Sequence, residues 1–507
     1  MEQLQSLVYE IFFTPNPKKY QKWIVVAWLL VLFLGGIYVW GNFFAWGDIP
    51  LTLADWSRVA GPRLTFLKDA VTRGVLPLHI SDIRALDKMT NRYMGVPIVL
   101  LSPQIFLLRF LEVGEFFLTH IWLMYALGYL GLLWLRRQFN LSAFAFTVLF
   151  LLFNFNGHIF AHLFIGHENW GGYFLFPWFV GLVFNLVKGK GGWNWALKMA
   201  SLLFLIFLQG SFHHWSWSLM FLAMMMFFVP RHFWDIFKAG VGAFALAMVR
   251  ILPVAVTTSL IVEDYNYIGG FIFSDVILDR LIFTANPVDH LLYYGFLSRS
   301  LGTWEFTMFV GAVGTFFLIF FGVYRALIHN ENRVILLPVS GLAILSLGKI
   351  YKYLWMLPVP IFKVERVSSR ILILALVFLF IFAVIELQRW LDTNKHRVQM
   401  ALLAVALPIF LANDLWHNYK LWLISRVAPI FVLGQGEFNA TEWFVANDLT
   451  DNPYIQALWI GLVISICSAA AMFYLAWRER KREPQPEILT GSAADLNSKV
   501  KNLSENS

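Results

Sequence analysis

Apolar runs of about 20 residues recur from one end of this chain to the other, with short loops rich in Lys and Arg between many of them. A run of that length, coiled as a helix, crosses the ~30 Å hydrocarbon core of a bilayer. Lipid offers no water to bond backbone N–H and C=O groups, so a spanning segment must satisfy them internally. The runs are rich in Leu, Phe and Trp and do not alternate with a two-residue period, which excludes the strands of a membrane barrel. Composition agrees: 59% of the 507 residues are hydrophobic and 14% charged, where soluble domains carry about 25% charged residues. The predicted fold class is an all-α polytopic membrane protein.

Basic residues set the topology. Lys18, Lys19 and Lys22 precede the first run, Trp23 to Phe44, so residues 1–22 are expected as a cytoplasmic amphipathic segment. Alternation from there gives about 12 transmembrane helices over 23–477, with both termini in the cytoplasm and extracytoplasmic loops at 46–114, 261–304, 348–370 and 413–455. Residues 478–507 are polar without periodicity and read as a disordered cytoplasmic tail. The net charge of +8 is accounted for by these flanks and implies no nucleic-acid partner. A single cysteine, Cys467, excludes disulfides and cysteine metal sites within the chain. No internal repeat is evident, which weakens an inverted-repeat transporter reading.

This topology puts nearly all the Asp, Glu and His without a flanking role on one face: Asp48, Asp55, His158, His162, His167, Glu168, His213, His214 and Glu305, joined by Lys363, Glu365, Arg366 and Arg370. Ionisable residues near membrane depth are costly and mark function. In the first loop, ADWSRVAGPRLTFLKDAVTRG has helical spacing and a glycine stop at Gly74. The segment PIVLLSPQIFLLRFL is too short and too broken by Pro103 for a full span. Asp55 beside Trp56 reads either as a chemical centre or as a helix N-cap with an interfacial tryptophan. His213 and His214 are metal-ligand residue types, but adjacent histidines point apart on a helix and a third ligand is missing. Arg366 and Arg370, four apart, share a face if the following helix begins early. They serve either as interfacial anchors or as a phosphate clamp suited to arginine's planar fork. Asn439-Ala440-Thr441 matches a glycosylation triplet.

In order along residues 45–390 these segments resemble the GT-C superfamily of polytopic glycosyltransferases, in particular the YfhO-like and dolichyl-phosphate-mannose mannosyltransferase-like groups. DWSRVAGPRLTFLKDAVTRGVLPLH is similar to the first-loop pattern of an acidic residue, a helix and a Gly-x-Leu-Pro turn. GVPIVLLSPQIFLLRFL is similar to the jaw segment that comes after it. GHENWGGYFLFPW, QGSFHHWSW, TWEFTMFVG and VERVSSR resemble later elements, the last with Ser368 where the family usually has proline.

The resemblance implies transfer of a sugar from a polyprenyl-phosphate donor to an acceptor on the outer side of the cell membrane. It makes Asp55, or Asp48 in competition with it, the working carboxylate. Arg366, Arg370 and Lys363 would face the donor phosphate; His167, Glu168, His213, His214 and Glu305 would line the cavity. Apart from an optional divalent cation, no cofactor is implied, and no protein metal site. Expected partners are the lipid-linked donor, membrane lipids and, on one alternative, other membrane subunits. That alternative is a non-catalytic subunit keeping the same scaffold; another is a transporter or flippase for a lipid-linked substrate.

Overall fold

The computed structural model describes residues 2–74, 99–257, 268–285, 287, 293–294, 300–357, 359, 362, 365–393, 397–430 and 452–482. Their secondary structure is helical apart from a two-residue antiparallel pair, Tyr293–Tyr294 with Ser300–Leu301, and isolated bridges. The first helices are α1 (Glu2–Phe12), α2 (Lys22–Phe43), α3 (Gly61–Arg73), α4 (Val113–Gln138), α5 (Ala143–Phe155) and α6 (Gly157–Ile165). Next come α7 (Phe176–Val187), α8 (Gly192–Leu208), α9 (Phe212–Phe228), α10 (Phe233–Leu246) and α11 (Met248–Thr257).

Among the described residues, seven helical stretches are long and apolar enough to cross a membrane: Lys22–Phe43, Val113–Gln138, Ala143–Ile165, Glu168–Val187, Thr303–His329, Ser368–Thr393 and Pro453–Arg482. The bent pair Phe212–Phe228 and Pro230–Leu246 adds an eighth if it is one span; it turns through 117° at Pro230, where the helix cannot continue. The α8 helix and Arg333–Leu345 are shorter apolar helices. This is an all-α membrane protein.

Burial sorts the spans. Ala143–Ile165 is 94% buried and Ser368–Thr393 89%, so these two form the centre of the bundle. Lys22–Phe43 at 22% and Pro453–Arg482 at 17% run along its perimeter. The perimeter helices turn Trp23, Leu30, Leu34, Val463 and Phe473 outwards, as lipid-facing helices do.

Residues 46–74, the start of the long polar stretch after α2, are folded. The expected helix is α3, and it ends where Gly74 adopts φ +67°, its N–H bonding back to the carbonyls of Ala70 and Val71. It buries Leu64, Phe66, Leu67 and Ala70. The segment around Pro103 forms only a short 3-10 turn, Pro103–Arg109, with Phe106 and Phe110 exposed. Asn439-Ala440-Thr441 and Lys363 lie outside the described residues.

Three apolar spans open with a tight 3-10 turn: Glu168–Leu175, Thr303–Phe306 and Ser368–Ile371. Such turns are frequent at helix ends. Here they carry Trp170, Glu305 and Arg370 at the mouth of the bundle.

Candidate functional site

Trp170, 1% exposed, is the hub. Its indole N–H donates to His158 Nε2 at 3.1 Å. His162 stacks on its ring at 4.3 Å, while His167, His214 and His213 lie 4.8, 5.2 and 5.7 Å from it between ring centroids. The Arg370 guanidinium sits 5.2 Å from the same ring centroid, within reach of a cation–π interaction. Five histidines and an arginine drawn from four chain segments therefore share one aromatic centre.

Asp55 joins this centre through His167. His167 Nε2 is 3.1 Å from Asp55 Oδ2, and His167 Nδ1 is 2.6 Å from His162 Nδ1. A carboxylate accepts only, so the Nε2 of His167 carries the proton shared with Asp55. Asp55 stands at the N-terminal edge of the π turn Trp56–Ala60 but makes no capping hydrogen bond. The N-cap alternative is therefore not what its side chain does. The carboxylate opens into a recess, with 39% of its side chain exposed. Burial in the recess pushes the carboxyl upward; the hydrogen bond and charge of His167, with the charges of Arg366 and Arg370, outweigh it and hold Asp55 below its ordinary value.

Local backbone brings Asp55 there. Gly166 ends α6 at φ +101°, and a Cβ on it would stand 2.6 Å from the backbone N of Trp56. Only glycine allows both that conformation and that approach. Trp56 is fully buried and donates its indole N–H to the Phe164 carbonyl at 3.1 Å. Ala54, just before Asp55, has φ +43°, a strained conformation for a residue with a Cβ.

Each buried carboxylate has its own cation or donor set. Glu305 takes the Arg370 fork in two hydrogen bonds, and its backbone carbonyl accepts Ser369 Oγ at 2.7 Å. Glu168 pairs with Arg63 at 2.9 Å, both nearly sealed from solvent, which fastens α3 to the turn carrying Trp170. Glu365 accepts from His213 Nδ1 at 2.9 Å, Trp217 Nε1 at 2.8 Å and the Val367 N–H at 3.2 Å. Burial raises the Glu365 carboxyl, and His213, Arg370 and Trp217 together bring it below its ordinary value.

The structure thus collects Asp55, His167, His213, His214, Glu305 and Arg370 around Trp170. Glu168 is nearby but committed to Arg63, and His214 is fully buried in an aromatic cage of Trp170, Phe176 and Trp217. Asp48 is exposed, and its carboxylate has no partner among the described residues.

The condition under which Arg366 and Arg370 would share a helical face, an early start of the helix, is not met. Residues 366–368 are drawn into parallel bridging with Gly269, whose N–H donates to the Arg366 carbonyl at 2.6 Å, so the helix begins only after Arg366. Both arginines still act electrostatically on Asp55 and Glu305. Among the described residues no group of three or more His, Cys, Asp or Glu side chains is arranged to hold a metal ion.

Sequence alone did not single out Trp170, and it named His158, His162 and Glu365 only among the ionisable groups of the outer face. Trp170 is one of 22 tryptophans, with nothing local to mark it. Spacing offers a partial signal for His158 and His162, one helical turn apart and then followed by His167. Compared with protein-family models, curated proteins and solved structures, the chain matches none.

Proposed function

We propose that this protein is a membrane glycosyltransferase of GT-C-like architecture, moving a sugar from a polyprenyl-phosphate donor to an acceptor hydroxyl on the extracytoplasmic side. The observation that carries the reading is the half-open Asp55 carboxylate, held by His167 and within the field of Arg366 and Arg370, at the mouth of an apolar bundle. An apolar cavity of about 630 Å³ supports a lipid substrate: α9 and α10 line it with Leu219, Met226, Phe237 and Val241, joined by Phe362.

In this reaction Asp55 takes the proton of the acceptor hydroxyl as its oxygen bonds to the anomeric carbon. The bond from that carbon to the phosphate oxygen breaks, and its electron pair stays on the phosphate. Arg366 and Arg370 stabilise that charge, and Glu305 fixes the plane of the Arg370 fork. The basic ends of the spans, Arg136 and Arg137 in the last turn of α4 and Lys188 and Lys190 after α7, support a cytoplasmic placement of the opposite face and of both termini. About twelve spans fit that placement.

The test is transfer in proteoliposomes supplied with polyprenyl-phosphate-linked hexoses and pentoses. Asp55→Asn is expected to abolish transfer while the protein inserts and folds; Asp48→Asn is expected to retain it. Full transfer by the Asp55 variant would sink the reading.

A further inference from the structure

We propose that His213, positioned by Glu365, is a second acid–base residue of this site, facing the phosphate of the lipid donor and giving it a proton as the sugar leaves. The inference rests on the glycosyltransferase reading and adds to it a residue with a defined chemical task.

The two nitrogens of an imidazole lie on different edges of the ring, and a bond at one fixes the direction of the other. Glu365 takes the Nδ1–H of His213 at 2.9 Å. Glu365 is itself held by Trp217 and the Val367 N–H, and its side chain is 1% exposed. It has no surface left for substrate and acts as a positioning residue. His213 differs. Its side chain keeps 12% of its surface, and Nε2 has no hydrogen-bond partner among the described residues. This carboxylate–histidine couple leaves Nε2 available to a reacting group, as a general acid or base requires.

Position selects the phosphate as that group. His213 lies in the first turn of α9, and the same helix lines the apolar cavity with Leu219, Met220, Leu222 and Met226. At 1.5 Å per residue these lie roughly 9–20 Å beyond His213 along the axis. Met220, seven residues on, shares its face. Phe362, which also lines the cavity, precedes Glu365 by three residues in the chain. A polyprenyl chain lying in the cavity therefore brings its head group to the level of His213.

Arg370 commits two guanidinium nitrogens to Glu305, so it supplies charge there but no transferable proton. The groups around His213 are Glu365 and Trp217, with His214 beside it and Trp170 and Arg370 across the hub.

The step balances. The bond between the anomeric carbon and the phosphate oxygen breaks with its electron pair on oxygen. That oxygen takes the Nε2 proton of His213, leaving a neutral ring protonated at Nδ1. The acceptor's proton goes to Asp55. After product release, Asp55 returns a proton to solvent and His213 takes one up.

Wild type, His213→Gln and Glu365→Gln are compared in nanodiscs with the polyprenyl-phosphate sugar that wild type uses, and with the fluoride of the same sugar. Elution profile and melting curve confirm folding. His213→Gln is expected to lower kcat about a hundredfold, the scale of lost acid catalysis. It should leave KM little changed, remove the alkaline limb of the pH profile, and lose far less rate with the fluoride, whose departure needs less protonation. Glu365→Gln keeps the ring but removes its anionic partner, and should move the alkaline limb to lower pH. An unchanged alkaline limb in His213→Gln overturns the proposal while the glycosyltransferase reading stands; if it misfolds, an unmoved limb in Glu365→Gln does the same. Absence of transfer in wild type itself overturns both.

Discussion

His167 Nε2 lies 3.1 Å from Asp55 Oδ2, across 112 residues of chain. The contact ties the first loop to the loop after α6, and it gives the half-open carboxylate a proton partner. The far nitrogen of His167 meets His162, which is buried on α6. Asp55 is thus the outer end of a short histidine relay, so its basicity depends on residues that never touch substrate.

Removing the partner tests that dependence. His167 helps to hold the Asp55 carboxyl below its ordinary value. In His167→Gln the acid limb of the transfer rate should therefore move to higher pH, with the rate at neutral pH falling less than in Asp55→Asn. The pH profile of transfer from strongly acidic to mildly basic solution checks this.

Gly166 and Ala54 should respond with opposite signs. Gly166→Ala puts a Cβ 2.6 Å from the Trp56 nitrogen at φ +101°, and is expected to cost roughly 1–3 kcal/mol and to reduce transfer by displacing Asp55. Ala54→Gly relieves a residue at φ +43° and should be neutral or stabilising by up to about 1 kcal/mol. Chemical denaturation in a mild detergent distinguishes the two.

The Glu305–Arg370 pair is buried on both sides, with side chains 8% and 5% exposed. Glu305→Leu takes away the carboxylate that holds the Arg370 fork, a loss of about 3–5 kcal/mol. The double change Glu305→Leu with Arg370→Met should be more stable than the Glu305 single variant, because no charge is left unpaired. It should remain inactive. Stability and transfer measured on all three variants separate the structural role from the chemical one.

Glu365 has a folded-state value held below its ordinary one. Its contribution to stability is therefore fully present above the unfolded carboxylate value of about 4.3, and is lost as pH falls through that value and below. Glu365→Gln should be less stable than wild type at neutral pH, and its melting temperature should fall less steeply as the solution is acidified through the carboxylate range. Melting curves across that range decide it.

Ser368 stands where the resemblance expects proline. Its N–H donates to the Gly269 carbonyl at 2.9 Å, and its hydroxyl reaches the Gly269 and Ser346 carbonyls at 3.3 and 3.2 Å. Ser368→Pro removes a donor and leaves buried carbonyls short of partners, at a cost of roughly 1–3 kcal/mol. A thermal melt showing no loss would mean that this crossing does not hold the segment carrying Arg366.

Local rules acting within the sequence were enough to give a fold of apolar membrane helices, of which the described residues hold seven or eight candidate spans against the twelve expected. Apolar run length dictated them, because lipid leaves no other way to satisfy the backbone. The spacing after Asp55 foretold α3, and Gly74 its end. Asp55, His167, Glu305 and Arg370 stood out because charge is costly in so apolar a chain. Pairing is a long-range property, and only the tertiary structure decided it. Glu168 answers to Arg63, Glu365 to His213, and Arg370 to Glu305. Trp170 became the hub because α6, the start of α9 and the 3-10 turn carrying Arg370 converge on it, and no window of sequence records that convergence. Arg366 would share a helical face with Arg370 if the helix began early, yet its carbonyl accepts from Gly269, almost a hundred residues away, and the turn begins at Ser368: a backbone bonded across the bundle cannot also close a helical turn.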